Sequence, residues 1–273
     1  MTPPAWPVDE LDLPAYLARI GYEGPLAPDL TTLTALSAAH LAAIPFENLD
    51  ILLGRGISVA LSDVQDKLVT QRRGGYCYEH NTLFGAVLQK IGFSVVRLLA
   101  RTGDPLESPR PRSHMVLIVN GEFLADVGFG NGLLAPLRLR ADGPHRQGAY
   151  RYELVTGPDG AWRLRDLDAG VIQTFTEEPQ YPVDIEVANF HTAKSPRSPF
   201  TRRIIVMHKD AERVRSLIGR VFSVERPGEP TSRRQISDDE VGTTLRDEFR
   251  LRLSDLELKT LLQYAPTPPR DES

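Results

Sequence analysis

The feature that most narrows what this chain can become is a change of hydrophobic period at Gly92. Before it, apolar residues recur at helical spacing. After it they crowd into short β-rich runs, and helical spacing returns near residue 237. A chain that changes period twice is neither a plain helical bundle nor a plain β-sandwich. In the first stretch Asp12 is placed to cap a helix with Pro14 in its first turn and Gly21 as its stop. Asp29 opens a second run carrying Leu33, Leu36, His40 and Ala43. Ser62-Asp63-Val64-Gln65 has the spacing of a capping box before a short helix ending near Arg72. A long helix is expected from Cys77 to Ile91, with Leu83, Val87 and Ile91 as one stripe and Gly92 as the stop.

The β-rich middle reads as runs over 93–100, 114–119, 123–127, 150–155 and 161–165, with Asn120-Gly121 and the Gly-Pro-Asp-Gly at 157–160 as turns. A Pro-rich loop at 195–199 leads into a strand-like stretch over 202–208. Ser237-Asp238-Asp239-Glu240 and Ser254-Asp255-Leu256-Glu257 are further capping boxes, and the tail from Pro266 is expected to be loose. The fold class is therefore α+β in three lobes: helical over 1–92, β over 93–200 and mixed α/β over 201–273.

Charge and cysteine content narrow the function. With 36 acidic against 32 Lys and Arg side chains, a net −4, the chain has no global electrostatic reason to bind nucleic acid or an anionic membrane. Its start lacks the basic and apolar regions of a signal peptide, and no early run is apolar enough to span a bilayer, so a cytoplasmic protein is expected. The single cysteine, Cys77, permits neither an internal disulfide nor a multi-thiolate metal site, and no His or carboxylate spacing suggests another metal centre. Cys77 is either core filling or chemistry.

Its neighbours favour chemistry. In Arg72-Arg73-Gly74-Gly75-Tyr76-Cys77-Tyr78-Glu79-His80-Asn81 two glycines precede the helix, allowing a tight turn and the close approach of a ligand. A thiol in a first turn feels the partial positive charge of the helix N-terminus, which favours thiolate, beside free N–H groups able to hold an oxyanion. Such a thiol needs an oriented base. Of six histidines, His40 fits the apolar face of its helix, while His145 and His208 lie in charged surroundings expected at the surface. His80, on the nucleophile's own helix, suits a solvated or capping role. His114 instead opens a strand whose hairpin partner carries Asp126.

Hairpin parity decides whether that pair can meet. A two-residue loop at 120–121 would set His114 and Asp126 on opposite faces. A three-residue loop, Val119-Asn120-Gly121, with Gly121 left-handed in a bulge, pairs 118 with 122 and 114 with 126. That register also gathers Met115, Leu117, Phe123, Ala125 and Val127 on one apolar face, and it is the one expected. Asp126 would then fix the tautomer of His114 and stabilise its imidazolium; otherwise the two form a surface ion pair of little consequence. Gly128-Phe129-Gly130-Asn131-Gly132 follows at once and reads as a turn wrapping a substrate, with Phe129 as an apolar wall. No Lys-Ser or Lys-Thr follows, so it is a weak phosphate loop.

The Arg73–Asn81 run, the upstream Pro45-Phe46-Glu47-Asn48-Leu49, and Asp126-Val127-Gly128-Phe129-Gly130 followed by Ala135-Pro136-Leu137-Arg138-Leu139 resemble the arylamine N-acetyltransferases over roughly residues 10–205. The resemblance implies a helical bundle, a β-barrel and an α/β lid around a cysteine-protease-like core. It places the catalytic cysteine, histidine and aspartate on Cys77, His114 and Asp126, and pairs Glu47 with Arg73 as structural support. It gives substrate walls at Phe129 and at Phe200, the latter closing a segment from Phe190 that departs from the family's usual Ser-Thr-His-Pro pattern. It further implies acetyl-CoA as donor, no metal, and an aromatic amine or hydrazine as acceptor, in ping-pong order through an acetyl-Cys77 thioester. Weakly basic arylamines keep a free lone pair at neutral pH, whereas an alkylamine is mostly ammonium. A macrolactam-forming amide synthase of the same superfamily and a papain- or transglutaminase-like hydrolase are the alternatives, with a catalytically dead binding module as the third.

Overall fold

Local side chains set the first helix starts. Asp12 Oδ1 accepts from the Ala15 amide at 2.9 Å ahead of α1 (Leu13–Ile20), which ends at a left-handed Gly21. Asp29 accepts from the Thr32 amide at 2.8 Å ahead of α2 (Leu30–Ala43). The computed structural model describes residues 6–264; the expected loose tail from Pro266 lies outside them.

After a two-residue strand, β1 (Phe46–Glu47), come the short helices α3 (Leu49–Leu52) and α4 (Leu61–Gln65), the latter running into a π-helical turn over Asp66–Thr70. The capping box expected at Ser62 does not form. The helix starts earlier, with Ala60 at the cap and no side-chain cap bond, because buried Leu61 and Val64 fix where the first turn must sit. Next is α5 (Cys77–Ile91), ended by a left-handed Gly92; every residue from Cys77 to Leu88 is buried. Helix α5 packs between α4 and the first two strands of the sheet that follows.

That sheet has eight antiparallel strands: β2 (Val95–Thr102), β3 (Arg112–Val119), β4 (Phe123–Ala125), β5 (Leu137–Arg138), β6 (His145–Gln147), β7 (Tyr150–Thr156), β8 (Trp162–Asp166) and β9 (Gly170–Phe175). Their spatial order is β5-β4-β3-β2-β9-β8-β7-β6. The two edges approach each other through Gln147 of β6, whose amide bonds Leu134 and Ala135 just before β5 and gives the sheet a barrel-like closure. One face of β3 and β4 (Met115, Leu117, Val119, Phe123, Ala125) joins the core around α5, and the other (Val116, Ile118, Leu124) fills the barrel.

Beyond it lie α6 (Pro182–Lys194), then β10 (Ile205–Lys209), β11 (Val214–Ile218), β12 (Val221–Glu225) and β13 (Ser232–Gln235), then α7 (Asp238–Phe249) and α8 (Asp255–Leu261). Neither α6 nor β11–β13 is foreseen from the sequence pattern. The expected capping boxes at Ser237 and Ser254 do start α7 and α8. Strand β1 pairs with β10 and forms the edge of the five-stranded sheet β1-β10-β11-β12-β13, so the helical stretch and the last third of the chain share one sheet. The fold is α+β, with a helical bundle, a barrel-like sheet and a second α/β unit.

Candidate active site

The start of α5 is fixed by Glu79. One carboxylate oxygen accepts from the Tyr76 amide at 3.0 Å and the other from Lys67 Nζ at 2.7 Å. The double glycine before it serves close backbone approach, and the neighbour is the chain itself rather than a ligand. A side chain on Gly74 would overlap the Pro45 carbonyl, and Glu47 donates its amide to the Gly75 carbonyl at 2.7 Å.

His80 is neither solvated nor a cap. Its Nε2 faces the Gly75 carbonyl at 3.0 Å and the Pro45 carbonyl at 3.3 Å, so Nε2 carries the proton. Nδ1 must then accept from His40 Nε2 at 2.8 Å, leaving His40 Nδ1 to accept from the Tyr16 hydroxyl at 2.8 Å. Burial holds both rings neutral: His80 is brought down to about 4 and His40 well below the ordinary value. His40 does lie on the buried face of its helix, with both ring nitrogens bonded. His208 is half-buried against Ala42 and Arg215 rather than on the surface.

The hairpin carries His114 to the thiol. Its loop has three residues, as expected, but they are Asn120, Gly121 and Glu122. The pairs are Val119 with Phe123 and Ile118 with Leu124, two positions on from the expected register. Asn120 as well as Gly121 adopts positive φ, which shifts the turn. A slip of two preserves parity, so His114 and Asp126 still share a face. His114 Nε2 meets Asp126 Oδ2 at 2.7 Å, leaving Nδ1 as the ring nitrogen available to the Cys77 thiol, which donates to the Ser113 carbonyl next to His114 at 3.9 Å. Both Cys77 and His114 are only 3% exposed. Burial opposes charge on His114, but the charge and hydrogen bond of Asp126, together with Cys77, outweigh it and push its pKa up to about 10. Burial likewise opposes charge on Asp126, yet His114 and further donors hold its carboxyl below the usual range.

Those donors include two residues that the sequence reading assigns no role. Asn81 Nδ2 reaches Asp126 Oδ1 at 3.0 Å and also the Met115 carbonyl at 2.7 Å. Gln173 Nε2, from β9, reaches Asp126 Oδ2 at 2.6 Å. The Gly128 amide adds a bond of 2.9 Å to Oδ1. Asn81 is four residues along α5 from Cys77, on the same face, a spacing that was there to be read. Gln173 arrives through long-range strand pairing and has no local signature.

Cys77 and His114 line a cleft of about 850 Å³. Phe129 stands edge-on to the His114 ring with centroids 5.0 Å apart, and Phe200 packs against Phe46 and Tyr76. Both phenylalanines line the cleft, as do the exposed Arg110, Arg197 and Arg203 farther out. Asn48 pins the Phe200 loop through the carbonyls of Phe200 and Arg203 at 2.7 and 2.9 Å. Below the site Arg73 contacts Glu47 at 3.3 Å and Asp50 at 3.2 Å, while Lys67 joins Asp50 to Glu79. Among the described residues no cluster of three or more His, Cys, Asp or Glu is placed to hold a metal, and no helix is long and apolar enough to cross a membrane.

A buried thiol, imidazole and carboxylate spanning a helix and a barrel-like sheet, at an aromatic cleft, are a set of groups able to serve an acyl-transfer enzyme. The N-acetyltransferase family pattern matches residues 29–258. Over 268 residues the chain is 38% identical to an arylamine N-acetyltransferase of Mycolicibacterium smegmatis, covering 90% of this chain and 94% of the relative. The arylamine N-acetyltransferase structure from Mycobacterium abscessus superposes with a TM-score of 0.90 at 37% identity, covering 94% of this chain and 96% of that one. That of Mycobacterium marinum, solved in complex with CoA, superposes with a TM-score of 0.86 at 33% identity, covering 93% and 98%. The chain belongs to the arylamine N-acetyltransferase family.

Proposed function

We propose that this enzyme transfers an acetyl group from acetyl-CoA to the nitrogen of an aromatic amine or hydrazine, and that Cys77 carries the acetyl group between the two half-reactions. The observation that carries this is the alignment of the Cys77 thiol, the His114 ring and the Asp126 carboxylate at the cleft floor. The relatives' names supply the acceptor class, and the M. marinum complex supplies CoA.

In the first half-reaction the Cys77 sulfur, its proton held by His114, attacks the acetyl carbonyl of the donor. Amides in the first turn of α5 lack partners within the helix and can meet the oxyanion. The carbon–sulfur bond to CoA breaks and the imidazolium returns its proton to the departing thiolate. In the second, the amine nitrogen attacks the acetyl-Cys77 carbonyl. His114 takes a nitrogen proton and the Cys77 thiolate leaves. Acetylation removes the sulfur's charge and hydrogen bond, two of the causes that hold the His114 pKa up, so the ring becomes a readier base when a base is needed. Phe129 and Phe200 serve as walls for the ring of the acceptor, and Glu47 with Arg73 as support beneath the nucleophile. The outer arginines fit the phosphates of CoA.

A cleft of about 850 Å³ is in the range of drug-sized ligands, which suits a pantetheine arm with a one- or two-ring amine better than a carrier-bound polyketide. A cytoplasmic place for the enzyme fits a mechanism that needs a free thiol. Intact mass after mixing with acetyl-CoA should show one added acetyl group, absent in Cys77→Ala and discharged by an aromatic amine. A protein that turns over with no such adduct on Cys77 would remove the covalent mechanism.

A further inference from the structure

A second cavity, of about 400 Å³, lies between α5, α6 and the segment at 57–61. Thr82 and Ala86 line it, about 140° and 180° round α5 from Cys77, so it opens on the far side of the helix from the catalytic cleft. Arg97 lines it too, from a place where the strand pattern calls for an apolar residue. It stands between Val95 and Leu99 on the face of β2 that packs against α5. Arg97 is 2% exposed, its Nε and Nη1 have no hydrogen-bond partner, and no described carboxylate pairs with it. Its guanidinium carbon lies over the face of Trp6, 4.2 Å from the ring centroid. Burial alone pulls its pKa down to about 9, the mark of a desolvated cation without a counter-charge.

A buried guanidinium is normally matched by an anion. We infer that this cavity binds a small organic monocarboxylate, its carboxylate on Arg97 and its apolar body against Trp6, Ile57, Leu61 and Ile185. Arg97 is the one Lys or Arg in the lining, a single positive charge that matches a monoanion, and the exposed Glu186, which also lines the cavity, disfavours a phosphate dianion. The apolar part of the lining asks for a ligand that is more than a bare ion. The inference does not rest on the catalytic reading.

Trp6 supplies a local probe, because the only other tryptophan, Trp162, is bonded to Glu177 through its own indole N–H. The test is a titration of the full-length, ¹⁵N-labelled enzyme with benzoate and hexanoate, their neutral amides, and inorganic phosphate, following the two indole signals. The expected result is a saturable shift of the Trp6 signal by the carboxylates and none at Trp162. The amides and phosphate should bind at least about tenfold more weakly, and Arg97→Met should lose at least tenfold in carboxylate affinity. No saturable shift below about 10 mM, or equal binding of amide or phosphate, would overturn the inference. The comparison of acid with amide uses the unaltered protein and stands even if Arg97→Met does not fold.

Discussion

Asn81 Nδ2 lies 3.0 Å from Asp126 Oδ1, so the helix that bears the cysteine also grips the carboxylate of the opposing barrel one turn farther on. Cys77, His114 and Asp126 come from two parts of the fold, and this amide, which also bonds the Met115 carbonyl on β3, ties those parts together one turn from Cys77. Asn81→Ala should therefore leave the thiol in place but loosen Asp126 and, through it, His114. The expected effect on acetylation of Cys77 is a fall of about 10- to 100-fold in rate with little change in the affinity for acetyl-CoA. Rapid-quench single turnovers measure both. An unaltered rate would show that Gln173 and the Gly128 amide hold Asp126 without help.

Gly128 leaves no room for a side chain beside Cys77. A Cβ there would stand 2.8 Å from Cys77 Cα and 2.7 Å from Asn81 Nδ2, and the first of these atoms belongs to a buried helix that cannot yield. Gly128→Ala is expected to cost about 1–3 kcal/mol of stability and to reduce activity sharply, because relief requires moving Cys77 or Asn81. Gly143→Ala is the matched control: its φ is +95° but nothing lies within 4 Å, so it should leave activity intact. Thermal melts and initial rates on the two variants separate overpacking from backbone strain.

Arg73 is enclosed by Glu47, Asp50 and the more distant Glu257 of α8, and its side chain is 8% exposed. Arg73→Met should destabilise the protein by about 3 kcal/mol, since it leaves the fully buried Glu47 short of a counter-charge. Adding Glu47→Gln should recover part of that loss. A double variant no more stable than Arg73→Met in denaturant titration would mean that Asp50, not Glu47, is the partner that matters.

How much of this could be read beforehand follows from which signals are local. Asp12, Asp29, Ser237 and Ser254 mark helix starts because a cap is a bond within four residues, and the same holds for Gly21 and Gly92 as stops. The faces of β3 and β4 were legible through parity alone, even though the register slid by two. Helix α6 was hidden because Val183, Val187 and Phe190 project into solvent, so its apolar residues do not trace its buried side. Strand β13 has every residue exposed and carries two arginines, leaving no alternation to detect. The roles of His80 and Gln173 depend on neighbours 35 or more residues away: the Pro45 carbonyl and His40 for the first, Asp126 for the second.

The ion pair of the site also fixes a pH window. Free of structure, His114 would titrate near 6.5, and in the folded enzyme it holds its proton to about 10. A raised pKa on a base contributes stability that is complete below about 6.5 and is lost progressively as pH climbs toward 10. Asp126, whose pKa is lowered, contributes stability that is complete above the ordinary carboxylate value near 3.8 and disappears as pH falls below it. The pair therefore stabilises the fold most between about pH 4 and 6.5. Asp126→Asn removes the charge that raises His114, so the gap in melting temperature between wild type and variant should be widest in that window and narrower at pH 9.5. The same substitution should lower the rate at which iodoacetamide alkylates Cys77 at neutral pH, because the ring no longer holds the proton that the sulfur gives up. A gap in melting temperature that is constant from pH 5 to 9.5, with alkylation unchanged, would mean that Asp126 acts on His114 through position alone and not through charge.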